Sequence, residues 1–398
     1  MIKKIIFTGD IMSHMPQNNV SWKGDHYDYS AVFSRVSGLF KSADYVIGNL
    51  ETPVAGEKFG YTSEKTVFNT PIQFVKDAIE SGISIFTLAN NHCFDKGIEG
   101  LEATIRNVRG LGARTCGCYL NRQESLEPLY IELSQDCVVA ILSYTYGTNS
   151  KYRGCQLTED NDYLVDLFRK QDPLKEIPSG TIIKARRIIK KLLPRFVINA
   201  LTNAIVIDCV KDPNPSEEDL RYLNLMTDKI GRAQENADIT VMCMHSGGQF
   251  NDVIGAYTKN LVKTIMSNKC DLIVGNHPHD ILPFELMNNK PVAYSLGNFC
   301  WTPKFSTYRK KAYSEYSLLL NLYIDTEKKS IAKITATVLK CVQQKDGNSV
   351  IFPLKDLYNQ SNKTNRKKME KDFHNVIRRI GIDQTDVDIN MSEILLHS

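Results

Sequence analysis

Five short segments of this 398-residue chain gather carboxylate, Asn or His side chains directly after apolar, β-rich runs. They are Gly9-Asp10, Asn49-Leu50-Glu51, Asn90-Asn91-His92, His245-Ser246-Gly247-Gly248 and Gly275-Asn276-His277-Pro278-His279. Four of the eight histidines lie in them, each beside Asn, Gly, Ser or Pro, which core packing does not explain. Carboxylate oxygens, an Asn carbonyl and neutral imidazoles are ligands for borderline divalent ions such as Mn²⁺, Zn²⁺ or Fe²⁺. Six or seven such groups exceed what one ion in an open site needs. They suit two ions about 3.5–4 Å apart that share a carboxylate and a bridging water or hydroxide. Cys93 is the one thiol beside these segments, which argues against a structural thiolate zinc site.

The elements that must carry these groups follow from the periodicity. Residues 2–8, 45–47, 83–88, 137–143, 239–244, 272–274 and 292–294 are apolar runs of strand length. Between them, residues 71–81 have helical spacing with Thr70 as N-cap and Pro71 in the first turn, and residues 98–111 form a helix closed by Gly112. Residues 217–237 and 257–267 read as two more helices. Strands alternating with helices predict an α/β fold with a largely buried sheet, in which functional groups collect beyond the carboxyl ends of the strands.

Two regions break that rhythm in an expected main domain of residues 1–350. Residues 151–203 are polar and helical in pattern, an insertion placed to form a lid or subsite wall over the cleft. Within it, residues 184–195 hold six basic side chains and no acidic one. That run reads first as a docked helix with a solvated face, the alternative being a guide for a polyanion or a peripheral contact with an anionic membrane. Residues 351–398 read as a helical C-terminal extension, basic as far as Arg379.

Composition bounds the rest. With 42% hydrophobic and 24% charged residues the chain is globular rather than disordered, and 49 Lys+Arg against 45 Asp+Glu is too even to predict a nucleic-acid partner. The ten cysteines have no regular spacing and sit mostly in apolar runs, as reduced thiols do. Residues 5–7 are far short of the ~7–15 apolar residues of a secretory signal, and no run reaches the ~18 of a membrane span. The expectation is a cytoplasmic protein without a transmembrane segment.

Five ordered motifs carry a resemblance. They are Phe7-Thr8-Gly9-Asp10-Ile11-Met12, Gly48-Asn49-Leu50-Glu51-Thr52-Pro53, Ala89-Asn90-Asn91-His92-Cys93-Phe94-Asp95-Lys96-Gly97, His277-Pro278-His279 and Tyr294-Ser295-Leu296-Gly297-Asn298-Phe299. Together they resemble the bacterial capsule-synthesis family of the CapA type, associated with poly-γ-glutamate capsules, within the calcineurin-like metallophosphoesterase superfamily. The resemblance implies a four-layer α/β/β/α sandwich with a dinuclear metal site. It implies Asp10 and Glu51 as carboxylate ligands, Glu51 bridging, with Asn91, His245, His277 and His279 completing the set and His92 as the outer-sphere catalytic histidine.

Some positions depart from the superfamily. Met12 stands where an Asp-x-His motif has its histidine, so His14 either compensates or is an ordinary loop residue. Asn49-Leu50-Glu51 replaces an Asp pair, and Ser246 and Gln249 replace the Trp and Glu of many family members. Asn49, Asn90, Gly247, Gly248 and Asn298 are candidate substrate contacts, the glycines also serving as turn residues. Asp95-Lys96-Gly97 reads as the cap and start of the next helix. Asp280 and Glu285 are candidate partners orienting His277 or His279, and Tyr144, Tyr146 and Trp301 either line the pocket or belong to the core.

Two functions fit. One is a metal-dependent hydrolase in capsule or polyglutamate metabolism, attacking a phosphoester or a γ-glutamyl amide of an anionic small molecule or polymer, with His92 protonating the leaving group. The other is a non-catalytic metal-binding component of a capsule synthesis or export machine, its basic segments 184–195 and 365–379 meeting polymer or capsule-synthesis partners.

Overall fold

Alternation along the first strand sets the layering. In β1 (Ile2–Ile11), Ile5 and Phe7 enter one apolar cluster while Ile6 and Ile11 enter another, and all four are buried. A strand buried on both faces needs a packed layer on each side. The structure, a computed structural model, describes residues 1–63, 67–150, 154–174, 207–303 and 313–398. Among these, β1 lies inside a nine-stranded sheet. β2 (Tyr45–Leu50), β3 (Ile85–Thr87) and β4 (Arg114–Cys116) follow it in parallel on one side. The long hairpin of β12 (Tyr316–Asp325) and β13 (Ser330–Gln343), then β14 (Ser349–Pro353), extends the other side antiparallel. β11 (Asn298–Cys300) pairs with the end of β1, and β15 (Ile394–His397) with β13.

The second sheet runs β5-β6-β7-β8-β10-β9. β6 (Cys137–Thr145), β7 (Ile239–His245), β8 (Leu272–Asn276) and β10 (Lys290–Ala293) are parallel neighbours, and β5 (Leu129–Ser134) and β9 (Phe284–Met287) are antiparallel edges. The period of two assigns the faces. Val139, Ile141, Val241, Cys243, Leu272 and Val274 meet Phe7, Ile47 and Leu320 of the first sheet in one inter-sheet core. Ala140, Leu142, Met242 and Met244 face outward onto two helices, α3 (Glu217–Asn236) and α4 (Ala256–Ser267). On the outside of the first sheet, Val46 and Phe86 meet α1 (Ile72–Ser81) and α2 (Gly97–Gly110), whose Leu101, Ile105 and Val108 recur at helical spacing. The order is therefore helix, sheet, sheet, helix.

Residues 351–398 supply a short helix (Leu354–Gln360), a long one, α5 (Lys363–Ile380), and the final strand β15. Met369, Phe373, Val376, Ile377 and Ile380 of α5 join the inter-sheet core itself. Of the expected insertion 151–203, residues 154–174 are described. They carry one 3₁₀ turn, Asp162–Leu164, with Val165 and Leu167 bridged to Cys118 and Thr145, so this part lies along the sheet rather than forming a helix. The rest, including the basic run 184–195, lies outside the described residues. Among the described residues no helix is long and apolar enough to cross a membrane.

The end of β1 depends on a glycine for lack of room. A Cβ on Gly9 would sit 2.0 Å from the carbonyl oxygen of Gly297, and the neighbouring Asp10 N–H donates to that same oxygen at 2.9 Å. Gly9→Ala should therefore cost about 1–3 kcal/mol in urea unfolding, as overpacking does. Gly38→Ala, in the helical turn Ser37–Phe40 with nothing within 4 Å, is the control and should be neutral or slightly stabilising.

Candidate metal centre

The strand ends deliver the chemistry-bearing residues to one place. Asp10 is the Cα partner of Asn49 on β2 and of Asn298 on β11, His245 closes β7, and Asn276 closes β8. The backbone N–H of His277 donates to Asp10 Oδ2 at 3.2 Å, joining the second sheet to the first across 267 residues of chain. All of Asp10, Glu51, Asn91, His245, His277 and His279 are buried.

Their donor atoms converge. His245 Nε2 lies 2.9 Å from Asn91 Oδ1, 3.2 Å from His277 Nδ1 and 3.5 Å from Glu51 Oε1. His279 Nδ1 lies 3.3 Å from Asp10 Oδ2, and its Nε2 3.8 Å from Glu51 Oε1. Two sets, Glu51/His245/His277 and Asp10/Glu51/His279, each bring ligand atoms within 4.8 Å of one another and could hold a metal ion. Glu51 belongs to both. It is fully buried, and among the described residues neither of its oxygens has a hydrogen-bond partner. A buried carboxylate without donors is strongly disfavoured unless a cation neutralises it, so this donor set fits a metal.

The electrostatics agree. Burial, then the charge of Asp10, pushes the Glu51 carboxyl well above its usual range. Burial also opposes ionisation of Asp10, but hydrogen bonding and charge from His279, then His245 and Asn49, outweigh it and hold Asp10 below the usual range. Burial depresses His245 to about 3, and burial with the neighbouring imidazoles depresses His277 well below its ordinary value. Neutral imidazoles are the form that ligates.

Local backbone aims the histidines. His277 has φ +103° and His279 φ +58°, conformations that L residues adopt only when their surroundings over-determine them. Gly247 makes room for the intervening turn, since a Cβ there would lie 2.9 Å from the Pro278 ring. Asn298 holds His279 from two sides, with Oδ1 3.0 Å from the ring Nδ1 and Nδ2 donating to its carbonyl at 3.0 Å. That occupies Nδ1 and leaves Nε2 as the ligand atom.

The candidate substrate contacts divide accordingly. Asn49 donates to Asp10 at 2.8 Å, Asn90 to the Leu50 carbonyl at 2.8 Å, and Asn298 to His279, so all three buried amides support the site's frame. Gly247 and Gly248 are buried beside His245. Tyr146 and Trp301 face the site, 4.8 Å from the His277 ring and 5.3 Å from the His279 ring, whereas Tyr144 stacks on Phe168 in the outer core. His14 is buried edge-on to Trp301 and Phe68, at 4.7 and 5.6 Å, and is in neither ligand group.

Three expectations need correction. Asp95 does not cap α2: Lys96 is the N-cap, with no capping hydrogen bond from its side chain, and Gly97 starts the helix while Asp95 turns inward. Its Oδ2 lies 2.8 Å from His92 Nδ1 and accepts the Phe68 N–H at 2.7 Å. His92 is thus oriented by a carboxylate that sequence reasoning assigned elsewhere; the three-residue spacing within one tight turn was the available signal. Asp280 orients neither histidine ring, because its carboxylate is taken by Arg379 and by the Tyr313 and Ile281 amides. Glu285 accepts from the Tyr294 hydroxyl at 2.6 Å, away from the histidines.

Glu51→Gln separates the two consequences of burying this carboxylate. Its folded pKa is raised, so in metal-free protein its contribution to stability is present below its ordinary 4.5 and is lost as pH rises through the folded value. The variant escapes that loss. In chelator, its melting temperature should exceed wild type by a margin that grows with pH above 4.5, while its metal uptake falls; an unchanged melting temperature together with full metal content counts against the assignment.

Comparison with known proteins gives the family. The family model described as "Bacterial capsule synthesis protein PGA_cap" matches residues 4–302. The chain is 23% identical over 316 residues to "PGA biosynthesis protein CapA" of Bacillus subtilis (strain 168), covering 79% of this chain and 67% of that protein. It is 25% identical over 297 residues to "Capsule biosynthesis protein CapA" of Bacillus anthracis, covering 74% and 59%. This chain therefore spans about two thirds of the first relative's length and less of the second's. Among solved structures, it is similar to a putative 5′-nucleotidase from Staphylococcus aureus with a TM-score of 0.42 and 12% identity, covering 94% of this chain and 58% of that one. With residues 4–302 matched end to end, the chain belongs to the bacterial capsule synthesis protein family PGA_cap.

Proposed function

We propose that this chain is a metal-dependent hydrolase that holds two divalent ions, Mn²⁺, Zn²⁺ or Fe²⁺, with Glu51 shared between them. The observation that carries the reading is the pair of ligand groups meeting at one buried, donor-free carboxylate. When bound, such a pair supplies an activated water and positive charge on the oxygens of the reacting group. Asp10, Asn91, His245, His277 and His279 complete the ligand set, with Asn49 and Asn298 steadying Asp10 and His279.

His92 is the proton carrier. Asp95 accepts from Nδ1 at 2.8 Å, which fixes the ring and leaves Nε2 to exchange a proton with the leaving group. Phe68, edge-on at 4.6 Å, restricts water around that ring. The substrate is an anionic phosphoester or a γ-glutamyl amide; the names of the CapA relatives favour a capsule polymer, and superfamily resemblance favours a phosphoester. Both reactions use the same nucleophile and the same acid.

His92→Ala should keep its metal and lose about 10²–10⁴ in kcat/KM, a typical loss for general acid–base help, and Asp95→Asn should act in the same direction. Asn91→Ala should lower metal content as well. Metal analysis paired with a panel of phosphoester and γ-glutamyl substrates checks this. Stoichiometric metal with no turnover of either class would favour the non-catalytic role in polymer assembly.

A further inference from the structure

The residue after His279 leads away from the metal ligands and into the C-terminal helix. Asp280 is fully buried, and its Oδ2 lies 2.5 Å from Nη1 of Arg379, near the end of α5. The Arg379 guanidinium also lies over the Tyr313 ring, 4.9 Å from its centroid. Asp280 Oδ1 accepts the Tyr313 backbone N–H at 3.1 Å. The next carbonyl, that of Ser314, accepts from Asn298 Nδ2 at 3.2 Å, and Asn298 is the residue that holds the His279 ring and carbonyl. The contacts close a ring: Arg379 to Asp280, along the chain to His279, across to Asn298, and back through Ser314 and Tyr313. α5 is itself fixed to the first sheet by its core face and by Asp372, which accepts from the Tyr316 hydroxyl at 2.9 Å.

We propose that Arg379 is a positioning residue for the metal centre, holding the His277-Pro278-His279 turn in its left-handed conformation from a helix beyond the family-matched segment 4–302. A turn with φ of +103° and +58° at two non-glycine residues persists only under external restraint, and this ion pair supplies one at the adjoining residue. The pair does no chemistry; it acts through His279. Its effect on metal affinity rests on the metal reading above.

The test uses the full chain as Arg379→Met, Arg379→Lys and the double variant Arg379→Met/Asp280→Asn. Arg379→Met leaves a buried charge unpaired and should melt lower. The double variant removes both charges, regains much of that stability and still lacks the link, which separates positioning from folding. Two readouts are taken on metal-free protein: Mn²⁺ affinity by calorimetric titration, and the ring ¹⁵N signals of His279, with exposed His26 as reference. Arg379→Met and the double variant should bind Mn²⁺ about 10–100-fold more weakly and shift or broaden the His279 signals, as losses of a ligand's outer partners do, with Arg379→Lys intermediate. A double variant that melts near wild type, binds Mn²⁺ as wild type does and leaves the His279 signals in place overturns the proposal. Wild-type protein that binds no Mn²⁺ overturns the metal reading instead, and the His279 signals still decide the positioning.

Discussion

Taking a carboxylate out of water costs several kcal/mol unless a cation or a set of donors compensates. Glu51 is placed out of water with no hydrogen-bond donor on either oxygen among the described residues, and much of the surrounding architecture bears on its position. It follows directly on β2, so the sheet fixes its backbone, and its N–H donates to the carbonyl of Ile11 on β1. The second sheet brings His245 and the His277–His279 turn over it, and the Asp10–His277 bond holds the two sheets in that relation. Burial and Asp10 hold the Glu51 carboxyl toward its protonated form, and on the proposed reading arriving cations would displace that proton and balance the charge that burial disfavours.

How far this was legible before the structure depends on what kind of signal each residue leaves. β1, β2, β3, β6, β7, β8 and β10 announce themselves because strands buried on both faces are short, continuous apolar runs, and the candidate ligands stand at or just beyond the ends of such strands. The hairpin β12–β13 carries strand character as strong, in Leu318, Leu319 and Leu320 and in the alternation of Ile334, Ala336 and Val338, but no chemistry-bearing residue drew attention to it. The short edge strands β4 and β9, of three and four residues, are too brief for periodicity to speak.

The partners of the ligands are a different matter. Asn298 lies in a recognisable motif, but a motif does not say whether an amide meets substrate or a neighbouring imidazole. Asp95 looks like a helix cap because Asp before Gly and an apolar period normally is one; tertiary packing turned it toward His92 instead. Asp280 sits beside a ligand in sequence, which made it an attractive partner, yet its carboxylate belongs to a residue 99 positions further on. Proximity along the chain predicts contacts within one turn and fails for those made between layers.

The two ends of the described chain are woven into the same sheet, and this has a consequence in time. β1 opens the chain but lies beside β12, Lys4 pairs with Glu393, and β15 completes the pairing with β13. The β1–β12 and Lys4–Glu393 contacts join residues from 313 to 389 positions apart, and loop closure of that order must precede any reward from them. During vectorial synthesis the ligand-bearing strand ends up to His279 emerge well before the hairpin and α5 that enclose them. The nascent chain then carries exposed imidazoles and carboxylates that have not yet found their geometry. On the proposed reading, early encounter with a metal would select arrangements other than the native one, and correct loading would then be a question of order of events as much as of affinity.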